Sequence, residues 1–175
     1  RAFMPYWRAG EVLGIFLTSG VCGQPDAAMS RMLATAEILR YRERFRGVLH
    51  IKIIPGASDA AIERALSLAS AVSLNLETAG AAHFAKLTTR KDYLQNIIAP
   101  LKRIAALTAP GAPYARVKTT TQFIVGAADE TDREVVNYME GLYDRLGLHG
   151  IYFSAYQRGL GTPDLPGETS AVSNA

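Results

Sequence analysis

Short β-branched and apolar runs alternate with longer amphipathic stretches along nearly the whole chain, and this alternation limits the fold more than any other feature. The runs lie at 14–19, 48–54, 72–77, 121–126 and 151–156 and read as five strands. Between them, apolar residues recur at three- and four-residue spacing over 27–44, 60–71, 92–107 and 132–146, which read as crossover helices. Opening signals agree: Pro25 with Asp26, Thr89 with Asp92 three residues on, and Thr131 with Glu134 as a capping box, while Gly147 closes the last helix. The long segment between the third and fourth strands predicts one extra short helix over Ala81–Leu87. Strict β-α-β alternation implies a parallel α/β sheet, either doubly wound or a segment of a (β/α) barrel. No G-x-G-x-x-G follows any strand, which counts against a dinucleotide fold. With no internal repeat or low-complexity tract, residues 1–175 read as a single domain.

Composition narrows the function classes. Apolar residues make up 49% and charged residues 20%, which predicts a packed core and not disorder. The formal charge of +3 permits a nucleic-acid partner without requiring one, and the basic residues read as scattered. Cys22 is the single cysteine, so the chain by itself forms no disulfide, no thiolate zinc site and no complete iron-sulfur ligation. No apolar stretch approaches the ~20 residues of a membrane span and no leader pattern opens the chain, so the expectation is a cytoplasmic protein without a membrane partner. A first residue of Arg1 and a polar run from Gly167 to Ala175 lead us to expect a sequence cut at both ends.

Parallel strands buried on both faces should be continuously aliphatic, yet polar residues recur at alternate positions in four of the five. His50 and Lys52 share a face, as do Ser73, Asn75 and Glu77; Gln122 lies on the fourth strand, and Tyr152, Ser154 and Tyr156 share a face of the fifth. The opposite faces carry Leu49, Ile51, Ile53, Val72, Leu74, Leu76, Phe123, Val125, Ile151, Phe153 and Ala155, expected beneath the helices. Burying Lys52 or Glu77 alone would cost several kcal/mol, so the inward set implies a ligand, water or a mutual ion pair.

Individual positions add detail. Thr18, Ser19 and Gly20 end the first strand with small residues and backbone amides that a ligand can approach. Asn75 and Glu77, two apart, suit a grip on vicinal hydroxyls through an amide and a carboxylate. Gly126 offers a backbone surface for a flat ligand, or a plain turn into a capped helix. Pro55 and Gly56 read as a turn. Among the histidines only His50 is placed for a pocket; His83 and His149 read as structural or solvated. Cys22 lacks activating neighbours, and the segment from Tyr156 to Pro163 reads as a surface loop.

The strand-end motifs resemble the radical S-adenosylmethionine (SAM) superfamily in its biotin-synthase-like branch. Ser73, Leu74, Asn75, Leu76, Glu77 and Thr78 look like the Asn-x-Asp/Glu-Thr strand that holds the SAM ribose in that branch. Ile124, Val125 and Gly126 through Glu130 and Thr131 look like its adenine-binding G-x-I-x-G-x-x-E strand, with Gln122 in place of the first glycine and the carboxylate one residue farther on. Thr18, Ser19 and Gly20 stand where the family places a Gly-Gly-Glu segment that contacts the SAM amino group. More narrowly, 16–21, 50–59 (HIKIIPGASD), 120–134 (with TTQFIVGAADETDRE) and 152–162 resemble a subfamily of DNA modification or repair radical SAM proteins.

That resemblance implies strands two to six of a partial TIM-like barrel, without the Cys-x3-Cys-x2-Cys loop that holds a 4Fe-4S cluster and without the C-terminal region. It implies SAM as cofactor, bound by Thr18, Ser19, Gly20, Lys52, Ser73, Asn75, Glu77, Gln122, Val125 and Gly126. It also implies an electron donor, a nucleic-acid substrate, and a 5′-deoxyadenosyl radical made by the intact parent, this chain alone being inactive. The residues leave two other readings open: a Schiff-base aldolase-like lyase using Lys52 with Glu77 or Tyr152 as acid or base, and a non-catalytic binding fragment. Nothing in the residues specifies an oligomeric state.

Overall fold

The computed structural model describes residues 2–20, 23–159 and 164–169. Strands β1 (Gly14–Leu17), β2 (Val48–Lys52), β3 (Ala71–Ser73), β4 (Lys118–Val125) and β5 (Gly150–Ala155) form one parallel sheet in the order β1-β2-β3-β4-β5. Every neighbouring pair is parallel. Spatial order equal to chain order, with no reversal, is the winding of a barrel and not of a doubly wound sheet. The sheet accordingly curls into a half barrel.

Helices α2 (Pro25–Glu37), α3 (Asp59–Leu68), α5 (Ala99–Thr108) and α6 (Asp132–Leu146) are the crossovers, α4 (Ala81–Leu87) is the extra short helix, and α1 (Phe3–Arg8) and α7 (Pro166–Thr169) flank them. Two crossovers widen into π-helical turns, at Ile38–Arg42 after α2 and Leu94–Ile98 before α5. The convex face of the sheet buries Leu49, Ile51, Val72, Leu74, Leu76 and Phe123 against Met29, Ile62, Leu66, Ile97, Leu101 and Ile104 from the helices. α1 has no signal in the strand-helix alternation. It is held by aromatic contacts, with Phe3 and Trp7 edge-on to the buried Phe45 at 5.3 and 5.0 Å.

Local signals act largely as their chemistry dictates. Thr131 caps α6 in a reciprocal box with Glu134, and Gly147 ends it in the left-handed conformation at φ 58°. Asp92, and not Thr89, accepts the amide of Gln95 to start the α5 crossover, at 2.7 Å. Two expectations need correction. β5 is the sheet's last strand, so Phe153 stays 50% exposed instead of lying beneath a helix, although it stacks on Phe123 at 5.8 Å. β3 is shorter than 72–77. Its ladder stops at Ser73 opposite Thr120 and resumes only at Glu77 opposite Phe123, so four steps on one strand face three on the other.

The cause is a β-bulge. Thr121 Oγ1 donates to the Leu74 carbonyl at 2.8 Å and accepts the Leu76 amide at 3.1 Å, which satisfies backbone groups the ladder leaves behind. Glu77 then takes the left-handed conformation at φ 68°, unusual for a residue with a Cβ. Its amide and carbonyl rejoin β4 at Gln122 and Ile124, at 3.0 and 2.7 Å. Replacing Thr131 with Ala removes the cap of α6; we expect a loss of about 1 kcal/mol in chemical denaturation with the slope unchanged.

Candidate functional site

Side chains from β1 to β5 line a groove of about 250 Å³ on the concave face: Phe16, His50, Lys52, Ser73, Asn75, Thr120, Thr121, Gln122 and Tyr152. Register explains the convergence. Phe16 lies beside His50, Lys52 beside Ser73, Ser73 beside Thr120, and Gln122 beside Tyr152, so curling the sheet brings alternate side chains of all five strands together. Wider clefts exist, including one of about 330 Å³ between α5 and α6, but that one is a seam on the helical exterior lined by Lys102, Asn137 and Arg145.

The groove's floor is polar and incompletely satisfied. Among the described residues, the buried side-chain atoms without a hydrogen-bond partner are His50 Nε2, Glu77 Oε2, Thr78 Oγ1 and Thr120 Oγ1. Two of these belong to groove residues, and Glu77 and Thr78 follow directly on Asn75 and Leu76. Buried polar atoms in folded proteins are nearly always paired, so these four atoms leave room for hydrogen bonds from water or a ligand. Burial is the largest influence on the Glu77 carboxyl and holds its pKa above the ordinary value; the charge of Lys52, a hydrogen bond from Asn75 and the charge of Lys91 oppose it. Burial likewise lowers the pKa of His50, favouring the neutral ring. Its ring meets Phe16 edge-on at 4.6 Å.

The ion pair between Lys52 and Glu77, one of the alternatives open from the sequence, does not form. Among the described residues Lys52 makes no ion pair within 4.0 Å; Lys52 lines the groove, and Glu77 lies two residues beyond Asn75, outside that lining. Gln122 Nε2 donates to Ser154 Oγ at 2.7 Å across the concave face.

Thr18, Ser19, Gly20, Val125 and Gly126, also expected in the site, are not among the residues that line the groove. Thr18, Ser19 and Gly20 are exposed beyond the end of β1, where Ser19 Oγ donates to the Gly20 carbonyl at 2.9 Å. Val125 and Gly126 follow Ile124 at the end of β4, and their backbone is largely engaged. The Val125 carbonyl accepts the Tyr156 amide at 2.9 Å. The Gly126 amide donates to Glu130 at 2.9 Å, and the second Glu130 oxygen accepts the Ala128 amide at the same distance. Glu130 therefore clamps the turn. α7 closes over it, since a Cβ at Gly167 would stand 2.7 Å from the Gly126 carbonyl oxygen.

His83 is structural as expected, joining the Ala128 carbonyl at 2.7 Å to Glu134 at 3.2 Å, and His149 Nδ1 accepts the Thr119 amide at 3.2 Å. Cys22 and residues 160–163 of the C-terminal loop lie outside the described residues. Phe16, Thr120 and Thr121 line the groove without being picked out by the sequence reading, and Lys91 acts on Glu77 through its charge. The first two carry a signal, since extending β4 back through the β-branched run to Lys118 puts Thr120 in phase with Gln122. Lys91 carries none, because it stands on the connection between α4 and α5.

No protein-family model matches the chain, and neither does any curated protein. Among the described residues no helix is long and apolar enough to cross a membrane, and no group of three or more His, Cys, Asp or Glu is placed to hold a metal ion.

The raised Glu77 pKa fixes a sign for stability. Below 4.5 the carboxyl is protonated both folded and unfolded; above that value the unfolded chain loses the proton first, so the buried site increasingly disfavours folding as pH rises. Glu77→Gln removes this effect. Its denaturation midpoint relative to the native chain should therefore climb between pH 4.5 and neutrality, and a flat difference would contradict the placement.

Proposed function

We propose that the groove is the SAM-binding part of a radical SAM enzyme that acts on nucleic acid or a nucleotide-derived substrate. One observation carries the reading: Glu77 presents an unpartnered carboxylate oxygen beside Asn75, at the carboxyl end of a strand in a curled parallel sheet. Ligand sites of β/α barrels gather at those strand ends. A ribose diol offers two hydroxyl donors and needs strong acceptors close together; the unpartnered Glu77 oxygen, buried in the free chain, and the Asn75 side chain in the groove have that chemistry. The fit therefore rests on orphaned polar atoms of this chain and on the chemistry of the pair.

In this reading Asn75 and Glu77 hold the ribose, and Gln122, Val125 and Gly126 flank the adenine. Since the Gly126 amide is already bound to Glu130, contact there is through its Cα surface and the Val125 side chain. Thr18, Ser19 and Gly20 lie toward the amino-acid end, and Lys52 and Ser73 complete the polar floor. Bound SAM, with a reduced 4Fe-4S cluster, supplies a carbon-centred radical that removes hydrogen from a substrate. A single cysteine cannot ligate that cluster, so its thiolates would come from sequence beyond these residues. The chain's own task is to bind, orient and exclude water.

Asn75→Ala and Glu77→Ala should each weaken SAM binding, measured by calorimetry, by about tenfold or more, the loss for a charge-assisted hydrogen bond. Unchanged affinity in both variants would overturn the assignment. The unpaired amine of Lys52 favours one other reading, a Schiff-base lyase; borohydride reduction with a carbonyl substrate would then leave a covalent adduct on Lys52, and no adduct is expected if the groove serves SAM.

A further inference from the structure

At the opposite end of the sheet, where the strands begin, the fold assembles a concentration of positive charge. The segment Arg40-Tyr41-Arg42-Glu43-Arg44-Phe45-Arg46 carries four arginines in the turn between α2 and β2. Glu43, its sole carboxylate, is taken by Arg8 at 3.1 Å and Arg42 at 4.0 Å. Arg40 points inward from the π-helical turn and is fixed by neutral acceptors only: the carbonyls of Leu68 and Phe45 at 2.8 Å, of Gly47 at 3.0 Å, and Ser70 Oγ at 3.1 Å. Among the described residues no carboxylate pairs with it.

Around this fixed cation open two recesses that share it. One, of about 470 Å³, is lined by Arg40, Arg44, Phe45 and Arg46. The other, of about 420 Å³, is lined by Arg40, Tyr41, the 67–70 turn and Arg116, which arrives from just before β4. Among the described residues Arg44, Arg46 and Arg116 make no ion pair. Arg44 stands at φ 52°, a left-handed turn that reverses the chain between Arg42 and Arg46. Four uncancelled cations are gathered here against a formal net charge of +3, so the rest of the chain is close to neutral. Three of these cations are already neighbours in the sequence, within 40–46, and the fold adds Arg116 to them.

We propose that this face binds the phosphate backbone of a nucleic acid, with Arg40 as the fixed floor and Arg44, Arg46 and Arg116 as the contacting cations. Guanidinium groups in forked geometry match phosphate oxygens, and a row of them neutralises consecutive phosphates. Tyr41, 63% exposed at the rim with Arg64 5.8 Å from its ring centre, adds a flat surface on which a base can stack. That pairing of cations with an aromatic platform favours nucleic acid over an anionic lipid surface. The face stands apart from the concave groove and does not depend on the SAM reading.

The test measures binding of a fluorescent single-stranded oligonucleotide to the full chain by anisotropy at several salt concentrations. Arg44→Gln, Arg46→Gln and Arg116→Gln combined should weaken binding at least tenfold and flatten the slope of log affinity against log salt by about 2, the value for three lost phosphate contacts. Lysine at the same three positions should restore most of the affinity. Lys102→Gln, Arg133→Gln and Arg145→Gln combined, which remove as much charge from the helical exterior, should change little. The proposal is overturned if the native chain does not bind, if both glutamine triples lose equally, or if vesicles containing phosphatidylserine bind more tightly through the same arginines. A SAM titration of the Arg44, Arg46 and Arg116 variant reads the groove separately and should be unaltered.

Discussion

The site depends on one threonine hydroxyl. By bonding both the Leu74 carbonyl and the Leu76 amide, Thr121 lets β3 leave its ladder for a single extra residue without stranding buried backbone groups, each of which would cost about 1–3 kcal/mol. Because the strand then rejoins β4 through Glu77, the carboxylate is set beside Asn75 and not carried past the sheet edge. The left-handed backbone of Glu77 is the strain that this arrangement holds, and such strain gathers at functional positions.

The two ends of the sheet are built on different electrostatic rules. Where strands end, ionisable groups are half-buried and held apart: the charge of Lys52 acts on Glu77 without an ion pair, and burial lowers the pKa of His50. Where strands begin, Arg40 is anchored by carbonyls and cations are left exposed around it. A small ligand suits the first environment, since a few buried polar atoms there have no hydrogen-bond partner. An extended polyanion suits the second, because its charges are displayed and not enclosed.

Legibility in the sequence tracked how local each cause is. The helix over residues 132–146 follows from a capping box, an apolar stripe and a terminal glycine within one short stretch, and its limits match the structure. The short helix at Ala81–Leu87 was equally legible. Thr89 misled because Asp92, three residues on, caps more effectively through its own carboxylate. Phe153 misled because alternation reports two faces but not which face is covered at the edge of a sheet. Of the site, the polar alternation in β2, β3 and β4 marked Lys52, Ser73, Asn75 and Gln122, which do meet in one groove. Thr120 belongs to the same alternation, because β4 begins at Lys118.

By itself the sequence determined the parallel α/β class, the aliphatic convex face and the polar concave one, because periods of two and 3.6 residues are properties of a single segment. It did not choose between a doubly wound sheet and a barrel segment, nor place Lys91 near Glu77, nor join Arg116 to the arginines of 40–46. Those choices belong to the tertiary structure. Strand order, the bulge opposite Thr121 and the meeting of distant loops at one end of the sheet all arise from contacts between segments, which no local pattern encodes.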